Sequence, residues 1–168
     1  DYFDPKLKTE GIKLNISKWR RPAPNTIPWD SKAAGLYMIC TLSKHEAEKQ
    51  GYSESLMLDH EGNVAESTSA NVFFKDNNGE LHTPIPDCFL DGITRRTVID
   101  IAKSKNIKVH ERKISPQELP NFVGCFLTGT AAEITPVSKI AENNYKVCDL
   151  IIDLSSSYGK LVRKKKAA

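Results

Sequence analysis

A mixed α/β fold, with strands in hairpin-like groups separated by single helices, is what this sequence predicts. Apolar and polar residues alternate over 11–19 and 106–112, the period of a half-buried strand. Short apolar runs at 72–74 and 125–127 lie beside turn-forming residues. Longer stretches at 34–50, 93–105 and about 153–166 have the length and composition of helices. Strands grouped as hairpins argue against a simple doubly wound sheet, while a plain α+β sandwich fits the same periodicity and stays open.

Taken in order, residues 1–10 are polar and form a ragged lead-in. Ile12, Leu14 and Ile16 mark one face of the first strand. Pro22, Pro24 and Pro28 then fix the backbone of an extended, stiff loop. The helix over 34–50 starts apolar, Leu36 to Leu42, and ends charged, Lys44 to Gln50, so its front turns are expected to be buried and its rear turns wet. Gly51 stops it. Residues 55–59 read as a strand, 60–63 as a tight turn, 71–76 as a strand, and 77–83 as a hairpin turn into a further short strand. Asp91-Gly92 opens the helix over 93–105, with Val98, Ile101 and Ala102 inward. Ser115-Pro116-Gln117-Glu118 has the form of a capping box with proline at the first helical position. Residues 125–137 form a buried strand that breaks into a turn at Gly129.

Hydrophobic residues at 39% and charged residues at 27% of 168 give an ordinary globular balance with enough chain for one core. The net charge of +3 is too small to point to nucleic acid, and most of it sits in Arg163 to Lys166, read as a solvated helix end. Apolar runs fall short of the roughly 18 residues a membrane span needs. The first residues carry neither the basic start nor the apolar middle of a secretion signal. Cys40, Cys88, Cys125 and Cys148 stand far apart, without ligand-like spacing to His45, His60, His82 or His110. Buried free thiols in a metal-free cytoplasmic protein are therefore expected.

Four places could carry chemistry. Lys32 sits beside Ala33, Ala34 and Gly35, where a flat ring could lie close to the backbone. A lysine that forms a Schiff base must shed its proton near neutral pH, which burial or a neighbouring cation achieves; most lysines beside small residues are simply solvated. Glu66, among Ser67, Thr68 and Ser69, could pair with a protonated ring nitrogen, or lie in a plain polar connection between two strands. Gly92-Ile93-Thr94 offers free helix-start N–H groups suited to a phosphate, though helix caps of this kind are common. Thr128-Gly129-Thr130-Ala131 offers a second turn with backbone donors and a hydroxyl in a tight space.

Together these blocks resemble the class IV pyridoxal-phosphate enzymes, above all the branched-chain aminotransferase family. RRPAPNTIPWDSKAAGLYM, GYSESLMLDHEGNVAESTSANVFF, LDGITRRTVIDIAKSKNIKVHER and FLTGTAAEITPV each look like a block of that family, in its order and spacing, over about residues 17 to 140. The resemblance implies the fold type IV large domain related to D-amino-acid aminotransferases: a pseudo-barrel of mixed strands with flanking helices. It implies pyridoxal 5'-phosphate as cofactor, with Lys32 as its covalent and catalytic amine. It further implies Tyr37 on the ring oxygen, Glu66 on the ring nitrogen, Leu90 on the ring face, and Ile93, Thr94 and Thr130 on the phosphate. Gly129, Thr130 and Ala131 would receive the substrate carboxylate.

The implied activity is transfer of the amino group of leucine, isoleucine or valine to 2-oxoglutarate. D-amino-acid transamination, aminodeoxychorismate cleavage and a catalytically silent fragment are the alternatives. Leu36, where the family commonly has asparagine, and the serine-rich loop after Glu66 leave substrate choice open. The same resemblance divides the chain into a strand and proline-rich interdomain linker, 1–27, and a cofactor-binding C-terminal domain, 28–168. A smaller N-terminal domain, which would supply a phosphate-binding arginine, is missing by this reading. Expected partners are an amino acid, a 2-oxo acid, that N-terminal domain and a second copy in a homo-oligomer such as a dimer, with neither nucleic acid nor membrane.

Overall fold

Alternation of side chains sets the strands, and a computed structural model describes their assembly over residues 6–163. In chain order they are β1 (Ile12–Arg20), β2 (Glu54–Leu58), β3 (Val64–Ser67), β4 (Asn71–Lys75), β5 (Leu81–Thr83), β6 (Val109–Glu111), β7 (Gly124–Gly129), β8 (Glu133–Ile140) and β9 (Asn143–Asn144). The α-helices are α1 (Leu7–Glu10), α2 (Met38–Lys49), α3 (Ile93–Ser104) and α4 (Asp149–Val162). Short 3₁₀ turns cover Ala34–Tyr37 and Pro116–Asn121.

The described strands form one mixed sheet in the order β3-β2-β1-β8-β7-β4-β5-β6, with β9 beside β8. β1 runs parallel to both β2 and β8, β5 runs parallel to β6, and the remaining pairs are antiparallel. The sheet curls until its ends meet: the Val64 N–H of β3 donates to the Ile114 carbonyl, beyond β6, at 2.8 Å. A curled mixed sheet flanked by helices is the expected pseudo-barrel rather than a flat sandwich.

Consecutive apolar residues in β4 and β7 serve two cores. Val72, Phe74, Cys125 and Leu127 join Ile12, Leu14, Leu56 and Val137 in one. Phe73 and Phe126, stacked at 5.0 Å, face Val98 and Ala102 of α3 and Leu154 of α4 in the other. A strand covered on both faces needs no polar alternation.

Several local expectations change. The front of α2 is not uniformly buried: Met38 is 66% and Leu42 46% exposed, and the buried stripe is Cys40, Ser43 and Ala47. That stripe has helical spacing and faces β1 and β2; the apolar residues beside it point away. Its end is as expected, with Gly51 at φ 81° and the Tyr52 N–H bonded to the Ala47 carbonyl. Glu66 lies within β3, opposite Met57, instead of in a connection. Helix α3 buries Val98, Ala102 and Ile99, leaves Ile101 half-buried, and also buries Arg95.

Helix α4 begins at Asp149, four residues earlier than expected, because its N-cap is Cys148, which makes no side-chain cap and leaves no sequence signal. Part of the polar lead-in forms α1. Residues 1–5 and the tail beyond Arg163, which held most of the expected basic helix end, lie outside the described residues. The Ser115 capping box forms as expected, with the Ser115 N–H donating to Glu118 at 2.8 Å. All four cysteines are free; Cys148 is half-buried, the other three buried. Among the described residues no cluster suits a metal ion, and no helix is long and apolar enough to cross a membrane.

Candidate functional site

Four chain segments converge on a cavity of about 290 Å³. The chain leaving β1 contributes Arg21, Lys32 and Tyr37; β3, its following loop and the start of β4 contribute Glu66, Ser69 and Asn71. The start of α3 contributes Leu90 to Thr94, and the end of β7 contributes Thr128, Gly129 and Thr130. The structure thus brings together every sequence-predicted site residue except Ala131, which is exposed and does not line the cavity.

Glu66 is 12% exposed and faces Arg21, 4% exposed, with Nε 3.4 Å from its Oε1. Burial pushes the Glu66 carboxyl up to about 8, against the opposing pull of Arg21. Arg21 also donates to the carbonyls of Cys88 and Leu36, at 3.4 and 3.3 Å, and so ties the segment carrying Tyr37 to Glu66. Sequence alone does not separate Arg21 from Arg20, which is exposed and donates to the His60 carbonyl at 3.4 Å. Burial, then the nearby Glu66 charge, raises the Tyr37 phenol above its ordinary value and keeps it a proton donor.

Behind the serine-rich loop stands Glu54, fully buried, a residue that its strand context does not flag. Its carboxylate accepts from Thr68, from Ser69 at 3.0 Å and from Lys44 at 3.0 Å. The Thr68 and Ser69 bonds hold the loop between Glu66 and Asn71 in one conformation.

The α3 N-terminus is open. Gly92 is its N-cap without a side-chain cap, and the first internal bond runs from the Arg96 N–H to the Gly92 carbonyl. The N–H groups of Ile93, Thr94 and Arg95 therefore lack partners among the described residues, as first-turn amides do. Asn71 braces this turn, donating to the Leu90 carbonyl at 2.9 Å and accepting from the Gly92 N–H at 3.2 Å. Arg95 braces it from the other side through Asp91 at 2.9 Å, Glu111 at 2.8 Å and the Pro84 carbonyl at 3.0 Å. A Cβ on Gly92 would collide with Asn71 Oδ1. Gly92→Ala is accordingly expected to destabilise the fold by about 1–3 kcal/mol in urea denaturation, by overpacking alone. Its φ of −64° excludes backbone strain as the cause.

Two expectations about burial are corrected. Lys32 is exposed at the cavity mouth, and Ala33 to Gly35 are exposed with it; a Cβ on Gly35 meets nothing within 4 Å. The small residues thus lie exposed beside the lysine, with open space at Gly35. In the second turn Thr130 is exposed on the rim, and the enclosed hydroxyl is that of Thr128.

A family model, Amino-transferase class IV, matches residues 2–140. The chain belongs to the class IV aminotransferases. Within that family it is 42% identical over 166 residues to a probable branched-chain-amino-acid aminotransferase of Rickettsia bellii (strain RML369-C), covering 95% of this chain and 56% of that protein. It is 39% identical over 140 residues to the branched-chain-amino-acid aminotransferase of Escherichia coli (strain K12), covering 83% of this chain and 45% of that one. Its fold matches the branched-chain aminotransferase of Thermoproteus uzoniensis solved with norvaline, at TM-score 0.90 and 36% identity, over 98% of this chain and 55% of that one. It also matches an aminotransferase from Brucella abortus bound to pyridoxal phosphate, at TM-score 0.86 and 29% identity, over 94% and 56%. This class IV chain therefore spans about half the length of the relatives it matches.

Proposed function

We propose that this chain binds pyridoxal 5'-phosphate and forms part of a branched-chain aminotransferase, transferring the amino group of leucine, isoleucine or valine to 2-oxoglutarate. The observation that carries the reading is the convergence of an amine, a buried carboxyl and an open helix start on one cavity. Relatives named branched-chain aminotransferases support the substrate class. A neighbour complexed with N-(5'-phosphopyridoxyl)-L-glutamate supports the 2-oxoglutarate side.

The residues fit the cofactor. A carboxyl held at about 8 even beside Arg21 needs a further cation to ionise at neutral pH, and a protonated ring nitrogen is one. Unpartnered first-turn amides suit an anion, and a phosphate is one. Bound pyridoxal phosphate supplies an aldehyde that condenses with amines and a ring that accepts the electron pair left on the substrate Cα. Lys32 Nζ is the amine for covalent attachment and the base for the Cα proton. Glu66 holds the proton on the ring nitrogen, with Arg21 fixing its carboxyl in place. The Tyr37 hydroxyl donates to the ring oxygen, and Leu90 packs on the ring. Ile93, Thr94 and Thr130 hold the phosphate, while Gly129 and Thr130 present donors to the substrate carboxylate from a turn whose third residue, Ala131, stands outside the cavity lining.

The test mixes protein loaded with pyridoxal phosphate with L-leucine or with D-alanine and follows the visible absorbance band of the bound cofactor. L-leucine is expected to bleach it and 2-oxoglutarate to restore it with formation of glutamate. Bleaching by D-alanine but not L-leucine would replace this reading by D-amino-acid transamination.

A further inference from the structure

Thr128 is 1% exposed, lines the cavity, and its Oγ1 is a buried polar atom without a hydrogen-bond partner among the described residues. A buried hydroxyl left unpaired is unfavourable by the desolvation of that group, so native proteins rarely keep one without a use. Its surroundings identify the missing partner. Thr128 stands opposite Asn71 on one side and Ile134 on the other, two residues beyond Phe126 on the strand face that packs against α3. Asn71 is already committed to Leu90 and Gly92, and the hydroxyl of Thr94 lies 3.3 Å from that of Tyr158. The open first turn of α3, whose N–H groups favour an anion, lines the same cavity as Thr128.

We propose that the Thr128 hydroxyl donates to a phosphate-monoester oxygen held jointly with the first-turn amides of α3. This rests on the cofactor reading for the identity of the phosphate's bearer, and on this chain's geometry for the phosphate itself. The hydroxyl is thereby a positioning group for the ligand, enclosed where Thr130 is open to solvent. As a donor it is matched by an anion's oxygen, where the first-turn N–H groups offer only donors.

Thr128→Val, which exchanges the hydroxyl for a methyl of similar size, separates this role from a structural one because two readouts move in opposite directions. The ligand-free melting temperature is expected to hold or rise, since an orphaned polar group has been removed. Affinity for inorganic phosphate and for pyridoxal phosphate, by titration calorimetry, is expected to fall by about tenfold or more, the scale of a hydrogen bond to a charged group. Binding of unphosphorylated pyridoxal is expected to stay unchanged, and Thr128→Ser to restore phosphate binding. Should the valine variant fail to fold, Thr128→Ala gives the same affinity comparison. Unchanged phosphate affinity in Thr128→Val or Thr128→Ala overturns the proposal even where pyridoxal phosphate still binds at Lys32. Conversely, Thr128-dependent binding of inorganic phosphate without any pyridoxal phosphate adduct upholds it and overturns the cofactor reading. Wild-type protein that takes up neither phosphate nor pyridoxal phosphate overturns both.

Discussion

Lys32→Ala is expected to carry no phosphopyridoxyl group on its residue-32 peptide after incubation with pyridoxal phosphate and reduction with borohydride, where the unaltered protein carries one. Amino-group transfer in the same variant is expected to fall by on the order of 10³-fold, because the general base leaves together with the covalent anchor. The fold should not be affected. Lys32 is exposed, so its removal is expected to change stability by no more than about 0.5 kcal/mol in urea denaturation. That separation gives the variant its value: a loss of the adduct cannot be attributed to unfolding. An adduct at another lysine, or turnover retained without Lys32, would mean that the cavity is lined by the right residues for a different purpose.

Glu66→Gln is expected to flatten the dependence of stability on pH in the ligand-free chain. The folded carboxyl titrates at about 8 against an ordinary value of 4.5, so between those two pH values the folded state binds more protons than the unfolded one. Stability conferred on the wild type therefore falls as pH rises through this window and levels off above about 8. Each pH unit inside it removes up to about 1.4 kcal/mol, the limiting slope for one proton. Glutamine keeps the size and a hydrogen-bonding oxygen for Arg21 but cannot ionise, and its profile should lose this slope. Urea midpoints at pH 5, 6, 7 and 8 make the measurement; identical slopes in both proteins would show that Glu66 titrates normally and is more hydrated than its 12% exposure implies. With cofactor bound, the order is expected to invert. A ring cation beside Glu66 lowers its pKa, and glutamine, which cannot balance that cation, should bind the cofactor more weakly.

Gly92→Ala belongs to a different scale. Its effect is confined to the Asn71 brace, and it tests how firmly the helix start is held more than what the helix start holds.

Much of this protein was legible along the chain. Period-2 alternation marked β1 and the strand before the capping box, and β-strand 71–75 and the α3 start lay where turn residues placed them. The order of lysine, glutamate and the two glycine-containing turns carried the resemblance to the class IV family, and that resemblance nominated residues of which the curled sheet gathers all but Ala131 on one cavity. Other features could not be read there. Helix α4 starts at a cysteine cap that offers no side-chain signal, and the exposed Met38 and Leu42 show that an apolar residue does not state which way it points.

The residues that only folding identified share a property. Arg21, Glu54 and Arg95 are polar side chains whose enclosure depends on partners brought from distant parts of the chain. Local pattern determined the elements and the order of the reactive groups, because backbone periodicity and turn chemistry act over a few residues. Tertiary structure alone decided which charges are enclosed, how high Glu66 titrates and which hydroxyl is left without a partner. Desolvation and long-range contact have no representation in a short stretch of sequence.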